Sequence, residues 1–107
     1  MNQKKFIKLF PDWKTPNTYG NNCEQPPQES GVYLLVRPFE GDKQIFDIMY
    51  IGSAKWLYQR YERHEVLRVL SEVYGYVQFY WIRDDNYKET EKKLIKQYQP
   101  KFNKQWR

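Results

Sequence analysis

The sequence predicts an α+β domain: a small, mostly antiparallel, three-stranded sheet flanked by helices, in the order β-β-α-β-α. Residues 31–37 and 44–51 are rich in branched and aromatic side chains, which favours strands. Because only a short turn separates these two runs, they must form an antiparallel hairpin. A third such run, residues 76–82, lies between two segments whose apolar residues recur at helical spacing. Strands and helices in this order are typical of an α+β fold.

The composition limits the classes of function that the chain can have. Its 107 residues are enough for one domain with a modest core. The net charge of +5 favours an anionic partner, although a basic domain with no nucleic-acid role would carry the same charge. Cys23 is the only cysteine, which excludes an intrachain disulfide and fits a reducing compartment. The apolar run at residues 6–10 is too short and too interrupted to span a membrane, so we expect a cytoplasmic protein with no membrane association.

The first thirty residues differ in texture from the rest of the chain. Prolines at four positions, from Pro11 to Pro27, interrupt any helical or strand period, so residues 1–30 are expected to be a largely irregular extension. Within it, residues 6–13 carry enough apolar side chains for one or two amphipathic turns docked on the main body. No chemistry is assigned to this extension. Residues 31–107 form the domain that carries the function.

The predicted hairpin brings two tyrosines together. Its turn falls at residues 40–43, where Glu, Gly, Asp and Lys follow one another. Tyr33 lies on the first strand and Tyr50 lies near the end of the second. The two phenols are therefore expected on neighbouring strands of one sheet.

Two helices are predicted after the hairpin. The first covers residues 54–70 and has Ser53 as its N-cap. Arg60 and His64 are four residues apart, so both side chains project from one face of that helix. The second helix covers residues 88–99. Its inward-facing residues are Leu94, Ile95 and Tyr98, and Phe102 and Trp106 are expected to fold back onto the core.

The chain contains residues suited to phosphodiester hydrolysis, which needs an activated water, a neutralised phosphoryl charge and help for the leaving oxygen. Glu91 is a carboxylate able to hold Mg²⁺. The guanidinium of Arg60 is always charged, and its planar set of N–H donors matches the geometry of phosphate oxygens. Tyr33, Tyr50 or His64 could accept a proton from the attacking water, provided that a nearby cation or metal lowers the pKa of a tyrosine from its usual value of about 10.

Each of these residues also has an ordinary structural interpretation. Two strand tyrosines commonly pack across a hairpin, and Glu91 has lysines on its own helix with which to pair. Arg60 could be a solvated helix residue, and Asn103 could cap a turn. Taken one at a time, the residues leave both interpretations open.

The residues together form a pattern that spans residues 31–103. Gly31-Val32-Tyr33 is followed by Tyr50-Ile51-Gly52-Ser53-Ala54-Lys55, then by Arg60 and His64, and then by Glu91 ahead of Leu94-Ile95, Tyr98, Pro100 and Asn103. In this order the motifs resemble the GIY-YIG nuclease family, whose members include UvrC-type repair nucleases, intron homing endonucleases and some restriction enzymes. The chain departs from the family pattern in having Val32 in place of the commonest isoleucine, and in a longer separation between Tyr33 and Tyr50.

The resemblance implies a role for each matching residue. Tyr33 would be the general base or would orient the attacking water, and Tyr50 would support it and contact phosphate. Arg60 would stabilise the developing charge, and His64 would assist proton transfer. Glu91 would be the sole protein ligand of one divalent ion, Mg²⁺ or Mn²⁺, and Asn103 would form hydrogen bonds at the rim of the site.

Nucleic-acid contacts are expected around this site. Residues 88–107 contain seven basic and two acidic residues, and seven minus two gives +5, which equals the net charge of the whole chain. This segment is expected to attract DNA, or else to be a solvated helix face. The residues expected to bind nucleic acid are Lys55, Arg63, Lys88, Lys92 and Asn103.

The sequence therefore predicts a single-domain, metal-dependent endonuclease that hydrolyses DNA phosphodiester bonds, as enzymes of DNA repair or of mobile elements do. Because the chain adds only a short extension to this domain, the protein is expected to cut with little sequence selectivity, to select a DNA structure, to depend on a separate specificity protein or domain, or to be an excised catalytic domain. The alternative is a catalytically inactive module that binds nucleic acid or a protein partner on the same scaffold.

Overall fold

The computed structural model describes residues 1–16, 22–39 and 42–104, and its core is a three-stranded sheet. Both strand pairs are antiparallel, and the strand order is β2-β1-β3, which confirms the predicted α+β class. The predicted turn residues Glu40 and Gly41, and Trp106, lie outside the described residues. The elements are α1 (Gln3–Leu9), β1 (Gly31–Phe39), β2 (Asp42–Ala54), α2 (Leu57–Glu62), α3 (Glu65–Tyr74), β3 (Gln78–Arg83), α4 (Tyr87–Tyr98) and a short 3-10 helix (Lys101–Asn103).

The central strand β1 divides the core into two clusters, because successive side chains of a strand point to opposite faces. Tyr33 and Leu35 face the first cluster, which receives Leu57 from α2 and Leu70 from α3. Val32, Leu34 and Val36 face the second cluster. Helix α4 packs against this second cluster through Leu94, Ile95 and Tyr98, and Phe102 joins the first cluster, both as predicted.

Residues 1–16 of the N-terminal extension contribute to the core, and the predicted amphipathic turns are confirmed as α1. Phe6 is 2% exposed, and its ring lies 5.1 Å from that of Phe46 on β2 and 4.9 Å from that of Tyr80 on β3. The main chain before α1 pairs with one outer strand, since Asn2 forms a bridge with Ile45 of β2. The main chain after α1 pairs with the other, since Lys14 forms a bridge with Trp81 of β3. The first sixteen residues therefore cross one face of the sheet from edge to edge.

The prediction of a single helix over residues 54–70 is wrong, because this segment contains parts of two helices. Strand β2 continues to Ala54, and Ser53 pairs with Val32 in the sheet instead of capping a helix. Helix α2 begins after Trp56, and the helical path is interrupted at His64, whose φ and ψ of −81° and 107° are extended. This interruption has a physical cause, because the His64 side chain caps α3 by accepting a hydrogen bond from the Leu67 N–H.

A β-bulge shapes the second strand near the site. Leu35 lies opposite Tyr50, but the next residue of β1, Val36, lies opposite Ile48. Met49 is therefore the extra residue on β2. The bulge breaks the strict alternation of faces, and both Met49 and Tyr50 belong to the first cluster.

Candidate active site

The phenol of Tyr33 is the centre of the site. Its side chain is 1% exposed and lies over Gly52, the residue opposite it on β2. A Cβ atom added to Gly52 would lie 2.3 Å from the Tyr33 Oη and 2.4 Å from its Cζ. Since only glycine leaves this space, the glycine of the Tyr50-Ile51-Gly52 motif is required by the close approach of Tyr33, inside a strand that continues beyond it.

Two nitrogen atoms converge on the Tyr33 oxygen. The Arg60 Nε–H donates to Oη at 3.3 Å, and the His64 Nε2 lies 2.7 Å from the same atom. The predicted proximity of Arg60 and His64 is therefore present, but they do not share a helix. Arg60 belongs to the last turn of α2, and His64 is the N-cap of α3.

The second nitrogen of His64 determines where the imidazole proton lies. Its Nδ1 accepts a hydrogen bond from the Leu67 N–H at 3.1 Å, so Nδ1 carries a lone pair. Burial, reinforced by the positive charge of Arg60, lowers the pKa of His64 to about 3, and the imidazole is neutral at pH 7. The one proton of the neutral ring is therefore on Nε2, which donates to Tyr33. In this tautomer His64 is a donor and does not accept a proton from water.

The Tyr33 phenol is protonated at neutral pH. Burial raises its pKa above the usual value, and the hydrogen bond and charge of Arg60 oppose this effect without cancelling it. The charges of Tyr50 and Glu91 raise the pKa further. Because the phenol oxygen accepts from Arg60 and His64, its own O–H is the group left to act as a donor.

Tyr50 lies beside Tyr33 on the same face of the sheet. The two rings are close to parallel, at 23°, with centroids 6.4 Å apart. The Tyr50 ring also meets His64 edge-on, with centroids 5.8 Å apart. Tyr50 is 9% exposed, so the predicted pair of strand tyrosines forms an aromatic wall of the site.

Glu91 lies on α4. This helix packs on the face of the sheet opposite to α2 and α3, and the charge of Glu91 makes the smallest contribution to the raised pKa of the Tyr33 phenol. Its side chain is half-buried. The guanidinium of Arg60 and the imidazole of His64 thus contact the phenol directly, whereas Glu91 affects it only through its charge.

Two clefts border the site and meet at Arg63. One, of about 320 Å³, is lined by Arg60, Lys55 and Trp56 as well as Arg63. The other, of about 710 Å³, is lined by His64 together with residues of α2 and the start of α3. Arg60, Lys55 and Arg63 are all exposed, so this side of the site presents cations to solvent.

The remaining residues expected to bind nucleic acid are found in two different settings. Lys88 and Lys92 are exposed on α4, where a polyanion can reach them. Asn103 is 3% exposed, and its side chain is occupied by the main chain of Ile51, accepting from the N–H at 2.8 Å and donating to the C=O at 2.7 Å. The structure thus gives Asn103 a positioning role on β2, between Tyr50 and Gly52, in place of the expected contact at the rim.

The donor set around Glu91 limits the kind of metal site that is possible. Within residues 1–16, 22–39 and 42–104, no group of three or more His, Cys, Asp or Glu is close enough to hold a metal ion. A multi-ligand zinc-type cage is therefore not formed by these residues. A site for Mg²⁺ needs only one or two carboxylates, because water and substrate phosphates complete its shell, and the single carboxylate of Glu91 fits that requirement.

Comparisons of this chain with models of known protein families, with curated protein sequences and with solved structures found no match. The resemblance to GIY-YIG nucleases therefore rests on the sequence pattern and stays a prediction. Among the described residues, none of the helices combines the length and apolar composition needed to cross a bilayer.

Three features of the site are not predicted by the sequence. The tautomer of His64 depends on the N-cap of α3, and the need for Gly52 depends on the position of Tyr33 on the neighbouring strand. Trp56 was also missed, although it stands between Lys55 and Arg60 in the chain. A bulky aromatic residue next to basic residues at the start of a helix was the available signal.

Proposed function

We propose that this chain is a divalent-metal-dependent endonuclease that hydrolyses DNA phosphodiester bonds. The observation that carries the proposal is the convergence of Arg60 and His64 on the oxygen of Tyr33. The charge of Glu91 adds a weaker electrostatic effect on the same phenol. Core packing alone does not require a phenol with two nitrogen donors, because an apolar ring packs in a core without any polar partner. The arrangement is suited to reaction chemistry.

Arg60 would bind the phosphoryl group. Its guanidinium carries five N–H donors, and the Nε–H donates to Tyr33. The other donors remain for the oxygens of a phosphate that enters the cleft which Arg60 lines. In the reaction, Arg60 would stabilise the negative charge that grows on these oxygens as the water oxygen bonds to phosphorus and the bond to the leaving oxygen breaks.

Tyr33 would position the attacking water. Its O–H is protonated, and its oxygen accepts from two nitrogen donors, so the phenol can donate to a water and fix its orientation. If the phenol also takes the proton of that water, it must first become a phenolate. The N–H groups of Arg60 and His64 would then stabilise the negative charge on its oxygen.

Glu91 is the residue that would hold the divalent ion, Mg²⁺ or Mn²⁺. When bound, the ion supplies Lewis acidity at the phosphoryl oxygen and a positive charge that lowers the pKa of groups beside it. The exposed lysines of α4, with Lys88 and Lys92 among them, would attract the DNA backbone without reading its sequence. Site selection would then depend on DNA structure or on a separate specificity protein.

Cleavage of DNA in the presence and absence of metal tests the proposal. Supercoiled and branched DNA would be incubated with Mg²⁺, with Mn²⁺ and with a chelator, using wild type, Glu91→Gln and the control Glu89→Gln. Glu89 is an exposed acidic residue in the first turn of the same helix, so its substitution removes the same charge away from the site. We expect metal-stimulated cleavage by wild type and Glu89→Gln, and its loss in Glu91→Gln.

Two other outcomes have definite meanings. Undiminished cleavage by Glu91→Gln would show that the metal ligand is wrongly assigned. Retention of DNA by wild type with no cleavage in either metal would establish the alternative, a nucleic-acid-binding module without catalysis.

A further inference from the structure

Trp56 occupies a helix position at which tryptophan is not favoured. It is the N-cap of α2, where Ser, Thr, Asp or Asn would accept a hydrogen bond from the first turn, and its side chain makes no such bond. Its indole is 47% exposed, although burying a tryptophan is strongly favourable. Departures from local rules that bring no structural gain are expected at functional positions.

The surroundings of Trp56 are cationic. The Arg60 N–H donates to the Trp56 C=O at 3.0 Å, and residues four apart at the start of a helix lie on the same side of it. The indole and the guanidinium line the same cleft of about 320 Å³, together with Lys55 and Arg63. The Lys55 Nζ lies 5.5 Å from the centroid of the indole ring. In the part of the chain that the structure describes, neither Lys55 nor Arg63 forms an ion pair.

An exposed aromatic face among cations is the combination that binds single-stranded nucleic acid, because bases stack on the ring while the cations follow the phosphates. In a continuous duplex each base face is covered by its neighbours, so an indole can stack only on an unpaired base. Three cations, Lys55, Arg60 and Arg63, line the cleft beside the indole, which favours an anionic occupant over an apolar protein segment.

We propose that Trp56 is a stacking platform for an unpaired nucleotide of the DNA substrate, with Lys55 and Arg63 on its phosphates. This inference rests on the proposed nuclease function and adds a preference to it. A base stacked on Trp56 places a neighbouring phosphate at Arg60, and through Arg60 at Tyr33. The enzyme therefore selects DNA with an unpaired base, as in a flap, a bulge or a gap, over continuous duplex.

Binding and cleavage of matched DNA substrates test the inference separately from the nuclease function. The substrates share one sequence and are a continuous duplex, a duplex with a single-stranded flap, a duplex with a one-nucleotide bulge, and a single strand. Affinity is measured by fluorescence anisotropy without divalent metal, and cleavage rates are measured with Mg²⁺. The proteins are wild type, Trp56→Ser, Trp56→Phe and the control Tyr76→Ser, which alters another aromatic residue of similar exposure, 46%.

Trp56→Ser is chosen because serine is a better N-cap than tryptophan, so loss of the fold does not explain a loss of binding. We expect wild type to prefer the flap over the duplex roughly tenfold, and Trp56→Ser to lose that preference, as one base–aromatic stack is removed. Trp56→Phe keeps an aromatic face and retains most of the preference. Tyr76→Ser retains all of it.

Each remaining outcome decides one of the two proposals. If Trp56→Ser shows the same ratio of flap to duplex affinity as wild type, the stacking site is wrong, whether or not the protein cuts DNA. If wild type binds the flap through Trp56 but cuts nothing, the stacking site stands and the nuclease function fails. If Trp56→Ser changes only the size of the protein in gel filtration, Trp56 contacts a second copy of the chain, and the inference is overturned.

Discussion

The Nε2 atom of His64 lies 2.7 Å from the phenol oxygen of Tyr33, although the two residues are 31 positions apart in the chain. The other ring nitrogen of His64 caps α3 through the Leu67 N–H. One imidazole thus joins the start of a helix to the centre of the candidate site. Because His64 is the only histidine, its titration can be followed without interference from another imidazole.

Replacing His64 should flatten the dependence of stability on pH. Burial, and then the charge of Arg60, lowers the pKa of His64 in the folded state from 6.5 to about 3. Below pH 6.5 the unfolded chain binds a proton that the folded protein does not, so the free energy of unfolding falls as the pH falls through this range. Between pH 7 and pH 5 this loss amounts to roughly 2 kcal/mol. His64→Asn, which keeps an N-cap oxygen for α3, should remove it.

Urea unfolding of both proteins at several pH values gives the measurement. The carboxylates of the chain are common to both proteins, so their titration cancels in the difference between the two curves. Parallel curves for wild type and His64→Asn between pH 7 and pH 5 would show that folding does not lower the pKa of His64.

Tyr33→Phe should slow cleavage and also destabilise the fold. It leaves the N–H groups of Arg60 and His64 without their acceptor, at a cost of about 1–3 kcal/mol for the buried donor. Loss of a group that positions or deprotonates the water should lower the cleavage rate by about 10²–10⁴-fold. Tyr80→Phe is the matched control, since Tyr80 is 4% exposed and lies in the second cluster, away from the site. Equal cleavage rates for the two variants would place the chemistry elsewhere.

Gly52→Ala should disturb the fold only because Tyr33 is present. The added Cβ would lie 2.3 Å from Oη and would push the phenol away from Arg60 and His64, with an overpacking cost of about 1–3 kcal/mol. In a Tyr33→Leu background the phenol is absent, so the same substitution should cost much less. A double-mutant cycle in denaturant measures this coupling. Additive effects of the two substitutions would mean that Tyr33 does not press on Gly52.

Asn103→Leu should lower stability with little effect on DNA affinity. It removes both hydrogen bonds to the main chain of Ile51, which is 0% exposed, at a cost of about 2–6 kcal/mol for the two buried groups. Asn103→Asp keeps the acceptor and should cost less. Thermal unfolding and DNA binding are measured on the same samples. A fall in DNA affinity with unchanged stability would favour the nucleic-acid contact that the sequence predicts.

The hairpin and the sheet could be predicted because their signals are local. Branched and aromatic residues form strands wherever a short turn forces them together, and the third strand obeys the same rule. The break between α2 and α3 could not be predicted. Residues 54–70 contain neither glycine nor proline, so they favour one continuous helix. Contacts of His64 with Tyr33 and Leu67 override that preference.

Contacts between distant residues explain the other differences. The bonds between Asn103 and Ile51 join residues 52 positions apart, and no periodicity in the sequence marks them. The pairing of Lys14 with Trp81 is also invisible in a segment whose prolines predict an irregular extension. The residue types of the candidate site can be predicted from the sequence. The proton positions on His64 and Tyr33 depend on hydrogen-bond partners that only the three-dimensional structure shows.

The path of the first sixteen residues has a consequence for association. A sheet with open edges can accept a strand from another chain, and this mode of recognition drives both peptide binding and aggregation. Here Met1 already exchanges hydrogen bonds with the main chain of Phe46 on β2, and Lys14 already exchanges main-chain hydrogen bonds with Trp81 on β3. A strand from another chain could pair at either place only after residues 1–16 had detached from the sheet. That detachment would also remove Phe6 from the core.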